Sequence, residues 1–195
     1  MIIREARPAD ATQVAPLMNL IYDEMALTDL EDVPGPDLLK VITAAYRTRT
    51  YLSGAATTVV AEANGQVVGV AFGYPGEKED VVDDVMTRLA AKSAAFDEPF
   101  DLDSETEAGE WYLDSLAVSP DHQGKGIGRQ LLRALPIYAQ RDRQSVIGLN
   151  VDFENPGAMR LYERMGYEVT GTQMIGDHEY FHMHLEICLR VRLAN

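Results

Sequence analysis

The sequence has a single cysteine, Cys188, and it has no long apolar run. One cysteine excludes a disulfide within the chain. No stretch comes near the roughly 18 consecutive apolar residues that a membrane helix needs, and Arg4 and Glu5 stand where a signal peptide would be apolar. From these absences we expect a cytoplasmic protein that has no membrane partner.

Basic residues are also scarce, because 17 Lys and Arg stand against 31 Asp and Glu, for a formal net charge of −14. Such a charge repels the phosphate backbone of nucleic acids and attracts cations, so we expect no nucleic-acid partner. Between Glu77 and Glu110, 12 residues are acidic and 3 are basic. This acidic segment is either a flexible, solvated insertion or a cover over a binding site for a cation.

What the sequence does contain is enough apolar residues, 46% of 195, for one compact domain with one core. Asn64-Gly65 between two β-rich runs predicts a tight hairpin, and Pro136 inside a helical pattern predicts a kink or an early end. The patterns predict strands at 2–7, 57–63, 66–74, 111–118, 146–151, 168–175 and 180–187, and helices at 11–25, 37–48, 80–96, from about 127, and at 156–165.

A glycine-rich run from Gln123 to Gly128 lies between a predicted strand and a predicted helix. Its three glycines alternate, so several backbone N–H groups can point into one concavity with the helix dipole behind them. The pattern favours an anion site, most naturally for a pyrophosphate, over a plain connecting turn. It lacks the Lys-Ser/Thr ending of a nucleotide P-loop, and it does not open the first strand–helix unit of a dinucleotide fold.

Three runs in order, Leu113 to Pro120, Gln123 to Gly128 and Asn155 to Tyr167, resemble the GNAT superfamily of acetyl-CoA-dependent N-acyltransferases. The Gln-x-x-Gly-x-Gly run matches that family's pyrophosphate loop, and the Asn…Leu-Tyr…Gly-Tyr run matches its second cofactor-side helix. The resemblance implies one domain over residues 1–195, with an acidic insertion at about 76–109 as the departure. It also implies an α/β fold: a three-layer αβα sandwich with a mixed, mostly antiparallel sheet of about seven strands, split beside the strand that ends at Val118.

The resemblance further implies acetyl-CoA as co-substrate. Backbone groups of Leu116 to Val118 would bond the pantetheine arm and the glycine loop would hold the pyrophosphate, while Lys125 and Arg129 either add charge or are solvent-exposed. Asn155 would contact the arm, or only cap its helix. The cofactor-binding residues expected on this basis are Leu116, Ala117, Val118, Gln123, Gly124, Lys125, Gly126, Ile127, Gly128, Arg129, Asn155 and Tyr162.

Catalysis requires a proton donor for the leaving thiolate and a proton acceptor for the attacking amine. Tyr162 is the candidate general acid, with a core tyrosine as the alternative. Asp114 and Glu110 are the candidate bases, acting directly or through water, with a structural carboxylate and a surface charge as the alternatives. Cys188 lies far in sequence from these motifs, which argues against a covalent enzyme intermediate.

The function implied is transfer of an acetyl group to a primary amine, with a small cationic molecule as substrate. The alternatives are acetylation of a protein lysine or N-terminus, and a non-catalytic acetyl-CoA sensor. Family members that acetylate protein N-termini often carry Glu where this chain has Asn150, which disfavours a peptide substrate. The sequence leaves open whether the chain forms a homodimer.

Three histidines, His178, His182 and His184, lie close together near the C-terminus. They match no spacing of a closed metal site, so the sequence predicts no metal.

Overall fold

The computed structural model describes residues 1–25, 30, 33–96 and 103–188. Asp97, Glu98 and Asp101 of the acidic segment lie outside the described residues. Among the described residues, no helix is both long enough and apolar enough to cross a membrane.

Seven strands within this part of the chain form one sheet, in the order β1-β2-β3-β4-β5-β7-β6. All neighbouring strands are antiparallel except β4 and β5, which are parallel. The prediction of a mixed, mostly antiparallel sheet of seven strands is confirmed. The strands are β1 Ile2–Glu5, β2 Thr57–Ala63, β3 Gln66–Pro75, β4 Trp111–Val118, β5 Val146–Asp152, β6 Glu168–Ile175 and β7 His178–Glu186.

The hairpin of β2 and β3 forms where the sequence predicts it. Asn64 and Gly65 have φ angles of 52° and 80°, the left-handed conformation that a tight turn of this kind requires. The hairpin supplies β3, whose far edge pairs with β4 as far as Val118.

Helices cover both faces of the sheet, which confirms three layers. The four helices α1, α2, α3 and α4 pack on one face of the sheet through one buried apolar cluster. The helices α5 and α6 pack on the other face through a second cluster. The short α3 is absent from the prediction because five residues are too few to show a helical period. The helices are α1 Ala11–Met25, α2 Gly35–Ala45, α3 Arg49–Ser53, α4 Glu79–Ala90, α5 Ile127–Arg141 and α6 Pro156–Arg164.

Several helix ends differ from the sequence prediction, and α2 both begins and ends earlier, at Gly35 and Ala45. The helix α4 stops at Ala90 rather than at residue 96. Of the kink or early end predicted at Pro136, the early end does not occur, because α5 continues through Pro136 to Arg141. Its buried stripe, which includes Leu135 and Ala139 on either side of the proline, packs on the sheet and compensates for the lost backbone hydrogen bond.

Candidate active site

The sheet splits between β4 and β5. These two strands pair only at Trp111 with Ile147 and at Tyr112 with Gly148, so no strand within the described ranges pairs with β4 on this side from Leu113 onward. Unpaired backbone groups at a strand edge can bond an extended ligand as if it were an added strand. The split therefore offers a groove in the position that the sequence predicts.

The glycine loop follows the open edge of β4. Gly124 and Gly126 have φ angles of 71° and 76°, a region that side chains disfavour, and α5 begins at the next residue. Two side chains hold the loop in shape, since Gln123 Nε2 donates to Val118 O at 3.2 Å and Lys125 Nζ donates to Asp121 O at 2.8 Å. The N-terminus of α5 thus faces the groove with its unpaired N–H groups, an arrangement that favours an anion.

All twelve cofactor-binding residues expected from the sequence line a single open groove of about 1230 Å³, which we call the split groove. Arginines that the sequence analysis missed, Arg133 and Arg164, also line it. Arg133 stands one helical turn after Arg129, and this i, i+4 spacing was the available signal. In a chain of net charge −14, Glu24 is the single carboxylate among the described lining residues, so the groove suits a phosphate-bearing ligand.

Tyr162 stands where the split groove meets a second space, the central cavity of about 440 Å³. Its helix begins at Asn155, whose side chain accepts a hydrogen bond from Ala158 N at 3.0 Å. The Tyr162 ring is buried and contacts Tyr167 edge-to-face, with 5.8 Å between ring centroids. Burial raises the pKa of Tyr162 to about 12, so its hydroxyl keeps a proton that it can donate.

A third and smaller space, the aromatic cavity of about 80 Å³, adjoins the central cavity, and both are lined by Glu105, Asp114 and Ser115. Aromatic rings and carboxylates make up most of its wall. They are Tyr22, Tyr46, Tyr51, Phe72, Tyr74, Glu79, Asp83, Asp103, Glu105 and Asp114. This combination suits a cation, which is attracted both to ring faces and to negative charge.

None of these five carboxylates has a Lys or Arg partner among the described residues, and three of them have a raised pKa. Burial is the main reason that the pKa of Asp114 is raised, although hydroxyls of Ser115 and Tyr74 donate to it and lower the pKa. Burial, followed by the charge of Asp114, raises the pKa of Glu105, and the same two causes raise that of Asp83 to about 7. A bound cation would relieve this unfavourable burial of negative charge.

The described part of the acidic segment covers the cavities. Glu79 on α4 is buried and accepts four hydrogen bonds of 2.6–3.1 Å, from Ser104 Oγ, Glu105 N, Thr106 N and Thr106 Oγ1. These bonds fix the loop that places the Glu105 carboxylate in the cavity wall. Of the two interpretations of this segment, the cover therefore fits the described residues. Glu105 and Asp83 were missed as site residues because nothing in the sequence relates them to β4.

The carboxylate of Glu110, the second candidate base, lies away from the three spaces. Its carboxylate lies over Gly148, where a Cβ would overlap it, and contacts Nε2 of His182 and His184 at 3.1 and 3.0 Å. It lines none of the three spaces described above. Glu110 as a candidate base therefore stays a prediction without support from these contacts, because the missing side chain at position 148 lets its carboxylate turn toward β7.

A split sheet with a glycine loop and arginines beside an acid-lined cavity is the arrangement expected of acyltransferases that use coenzyme A thioesters. The chain belongs to the acetyltransferase (GNAT) family, whose model matches residues 25–167. The enzyme is accordingly an acyltransferase, and acetyl-CoA is the co-substrate of its family.

Individual relatives agree with this assignment. A crystal structure of an acetyltransferase superposes with a TM-score of 0.83 at 35% identity, covering 96% of this chain and 100% of the other. The structure of yncA from Salmonella typhimurium with its cofactor acetyl-CoA has the same fold, with a TM-score of 0.65 at 23% identity, covering 100% of this chain and 97% of that one.

Sequence relatives differ in their acceptors. The peptidyl-lysine N-acetyltransferase YjaB of Salmonella typhimurium is 29% identical over 104 residues, which span 53% of this chain and 68% of that protein. Several other curated relatives match over only 20–37% of their own length. These matches define the family of the chain but not its acceptor.

Proposed function

We propose that the protein acetylates a primary amine of a small molecule that carries a further positive charge. The observation that carries this proposal is the group of half-buried carboxylates, Asp83, Glu105 and Asp114, in a cavity wall that contains neither Lys nor Arg among the described residues. A substrate with one charged end would stabilise these groups, whereas a neutral acceptor would leave them uncompensated.

Acetyl-CoA would bind in the split groove. N–H groups of the glycine loop and of the first turn of α5 would hold its pyrophosphate, with Arg129 and Lys125 adding charge. The open edge of β4 at residues 116–118 would bond the pantetheine arm, and Asn155 would contact the arm while capping α6. The two glycines of positive φ, the cluster of arginines and the unpaired strand edge all fit such a ligand.

The reaction then needs three proton transfers. An ammonium group in the central cavity loses a proton to the Asp114 carboxylate, directly or through water, and the free amine attacks the thioester carbonyl. A C–N bond forms, the C–S bond breaks, and Tyr162 donates its proton to the departing sulfur. The nitrogen, positively charged after the attack, loses its second proton through water to the Tyr162 phenolate, and Asp114 releases its proton to solvent when the products leave. No covalent enzyme intermediate is involved, and Cys188 is not among the residues that line these spaces.

The test is release of free thiol from acetyl-CoA with matched acceptors. We expect turnover with diamines, polyamines and basic amino acids, and much weaker turnover with alkyl monoamines of the same length. Faster turnover of lysine-bearing peptides would instead favour the peptide alternative suggested by YjaB. Tight acetyl-CoA binding without turnover of any amine would favour a sensor.

A further inference from the structure

A cluster of side chains outside the three spaces brings four potential metal ligands together. Nε2 of His182 and Nε2 of His184 are 3.0 Å apart, and Oε2 of Glu110 lies 3.1 and 3.0 Å from them. Oε2 of Glu107 lies 4.0 Å from the first nitrogen and 3.5 Å from the second. We call these four residues the β7 cluster.

The hydrogen bonds of Asn150 fix the orientation of His182. Asn150 Nδ2 donates to the backbone oxygen of Glu105 at 2.9 Å, and because a carbonyl only accepts, the amide oxygen must face His182. That oxygen lies 2.6 Å from His182 Nδ1, so Nδ1 carries a proton. In the neutral ring, Nε2 of His182 then presents a lone pair to the rest of the cluster.

The carboxylate of Glu110 is arranged in a similar way. Its Oε1 accepts a hydrogen bond from Glu107 N at 2.8 Å, which leaves Oε2 directed at the two imidazoles. A hydrogen on His184 Nε2 can bond well to only one of the two acceptors, Glu110 Oε2 or His182 Nε2. The contact between those two acceptors remains without a hydrogen, although both side chains are buried.

We propose that the β7 cluster binds one divalent transition-metal ion, with Zn²⁺ as the best match. Two imidazole nitrogens and two carboxylate oxygens are a donor set that suits Zn²⁺ and disfavours Mg²⁺ and Ca²⁺, which prefer oxygen. Tetrahedral Zn²⁺ at about 2.0–2.1 Å from its ligands separates them by about 3.3–3.4 Å. The five ligand separations given above, 3.0–4.0 Å, bracket this value, and the oxygen of Glu107 and the two imidazole nitrogens all lie within 4.8 Å of one another.

The spacing of the histidines could not predict this site, because its carboxylate ligands come from a distant segment of the chain. His182 and His184 alternate on one face of β7, whereas Glu107 and Glu110 lie more than 70 residues earlier, at the start of β4. Gly148 on the intervening strand leaves the space in which they meet. The metal takes no part in acetyl transfer and would tie the loop that carries Glu105 to β7.

The experiment uses the full chain without a histidine tag, treated with a chelator and then titrated with Zn²⁺ by calorimetry and with Co²⁺ by visible absorption. We expect one ion per chain and the visible absorption of tetrahedral Co²⁺. His184→Ala should weaken Zn²⁺ binding at least tenfold, and Asn150→Ala by about 10- to 100-fold through loss of the bond that orients His182. His178→Ala is the matched control, since this histidine is on the same strand but bonds Asp152.

Unaltered Zn²⁺ affinity in His184→Ala would overturn the proposal, as would failure of the wild-type chain to bind one ion. The His184 side chain is partly exposed, so this variant is expected to fold, which circular dichroism checks. Glu107→Gln is a second variant; its side chain is exposed, so the substitution should leave folding intact while it weakens Zn²⁺ binding. Equal weakening in His178→Ala would show a general surface effect and would also count against the site.

Discussion

Replacing Asp83 by Asn tests whether the aromatic cavity recognises a second positive charge. The substitution keeps the size of the side chain and removes its charge. Asp83 has no basic partner among the described residues, whereas its neighbour Asp84 forms an ion pair with Arg88 at 2.6 Å on the surface. Asp84→Asn is therefore a matched control with the same change of charge on the same helix.

The cavity is small enough, at about 80 Å³, that a cation inside it lies close to Asp83. At about 4 Å and an effective dielectric constant of about 20, the attraction is about 4 kcal/mol. Asp83 is partly exposed and its pKa of about 7 leaves it only half ionised at neutral pH, so we reduce this to about 1.4–2.8 kcal/mol. The loss in kcat/KM should therefore be about 10- to 100-fold.

The assay compares 1,5-diaminopentane with 1-pentylamine as acceptors in the wild type, Asp83→Asn and Asp84→Asn. We expect Asp83→Asn to lower kcat/KM for the diamine and to change that for the monoamine little. The reasoning fails if both amines lose equally, or if Asp84→Asn has the same effect on the diamine.

The same substitution should also stabilise the fold. Burial raises the pKa of Asp83 in the folded state to about 7 from the ordinary 3.8, so the folded protein binds the proton more tightly than the unfolded chain. The free energy of unfolding of the wild type therefore falls as pH rises from about 4 to 7. Asp83→Asn lacks this loss, so its advantage in melting temperature should grow across that range and then level off. An advantage independent of pH would contradict the burial of this charge.

Three further predictions concern the split groove and the chemistry. Gly126→Val should weaken acetyl-CoA binding at least tenfold, about 1.4 kcal/mol, because a φ of 76° at this position strains a β-branched residue. Unchanged affinity, measured by calorimetry in a folded variant, would contradict the assignment of the loop to acetyl-CoA. Tyr162→Phe should lower kcat by about 10²- to 10⁴-fold with little change in acetyl-CoA affinity. Tyr167→Phe is the control and should leave kcat largely unchanged, since it removes a buried hydroxyl that has no hydrogen-bond partner among the described residues. Similar kcat values for the two variants would exclude Tyr162 as the acid. Burial raises the pKa of Asp114, so the ionised base is lost as pH falls through that raised pKa. The plot of kcat/KM against pH should therefore rise at a pH above the usual aspartate range. If the same rise persists in Asp114→Asn, it belongs to another group.

Features set by neighbours in the chain could be predicted from the sequence. The turn at Asn64-Gly65, the loop at 123–128 and the cap at Asn155 each depend on the backbone preferences of a few consecutive residues. The order of strands and helices followed from the same kind of signal, together with the family resemblance. The residues that the resemblance places on the cofactor side accordingly line one groove, the split groove.

The acceptor side was anticipated poorly because distant segments build it. Glu105 reaches the cavity only because Glu79 holds its loop, and the two residues are 26 positions apart. Asp114 and Glu110 are four residues apart, so strand alternation starts both on the same face, but the space over Gly148 lets Glu110 turn toward β7. Periodicity gives the face of a strand on which a side chain starts and not the neighbour that it finally meets.

The loop that carries Glu105 is anchored through its main chain, whereas the side chain at position 105 lines the cavity. Glu79 grips position 105 through its main-chain N–H, a group that every amino acid except proline possesses. The side chain at 105 is therefore free to change identity while the loop keeps its course. A single exchange there, from acidic to neutral or basic, would alter which acceptors the cavity admits without rebuilding the fold, so natural variants or engineered enzymes with new acceptor preferences can arise at this position in one step.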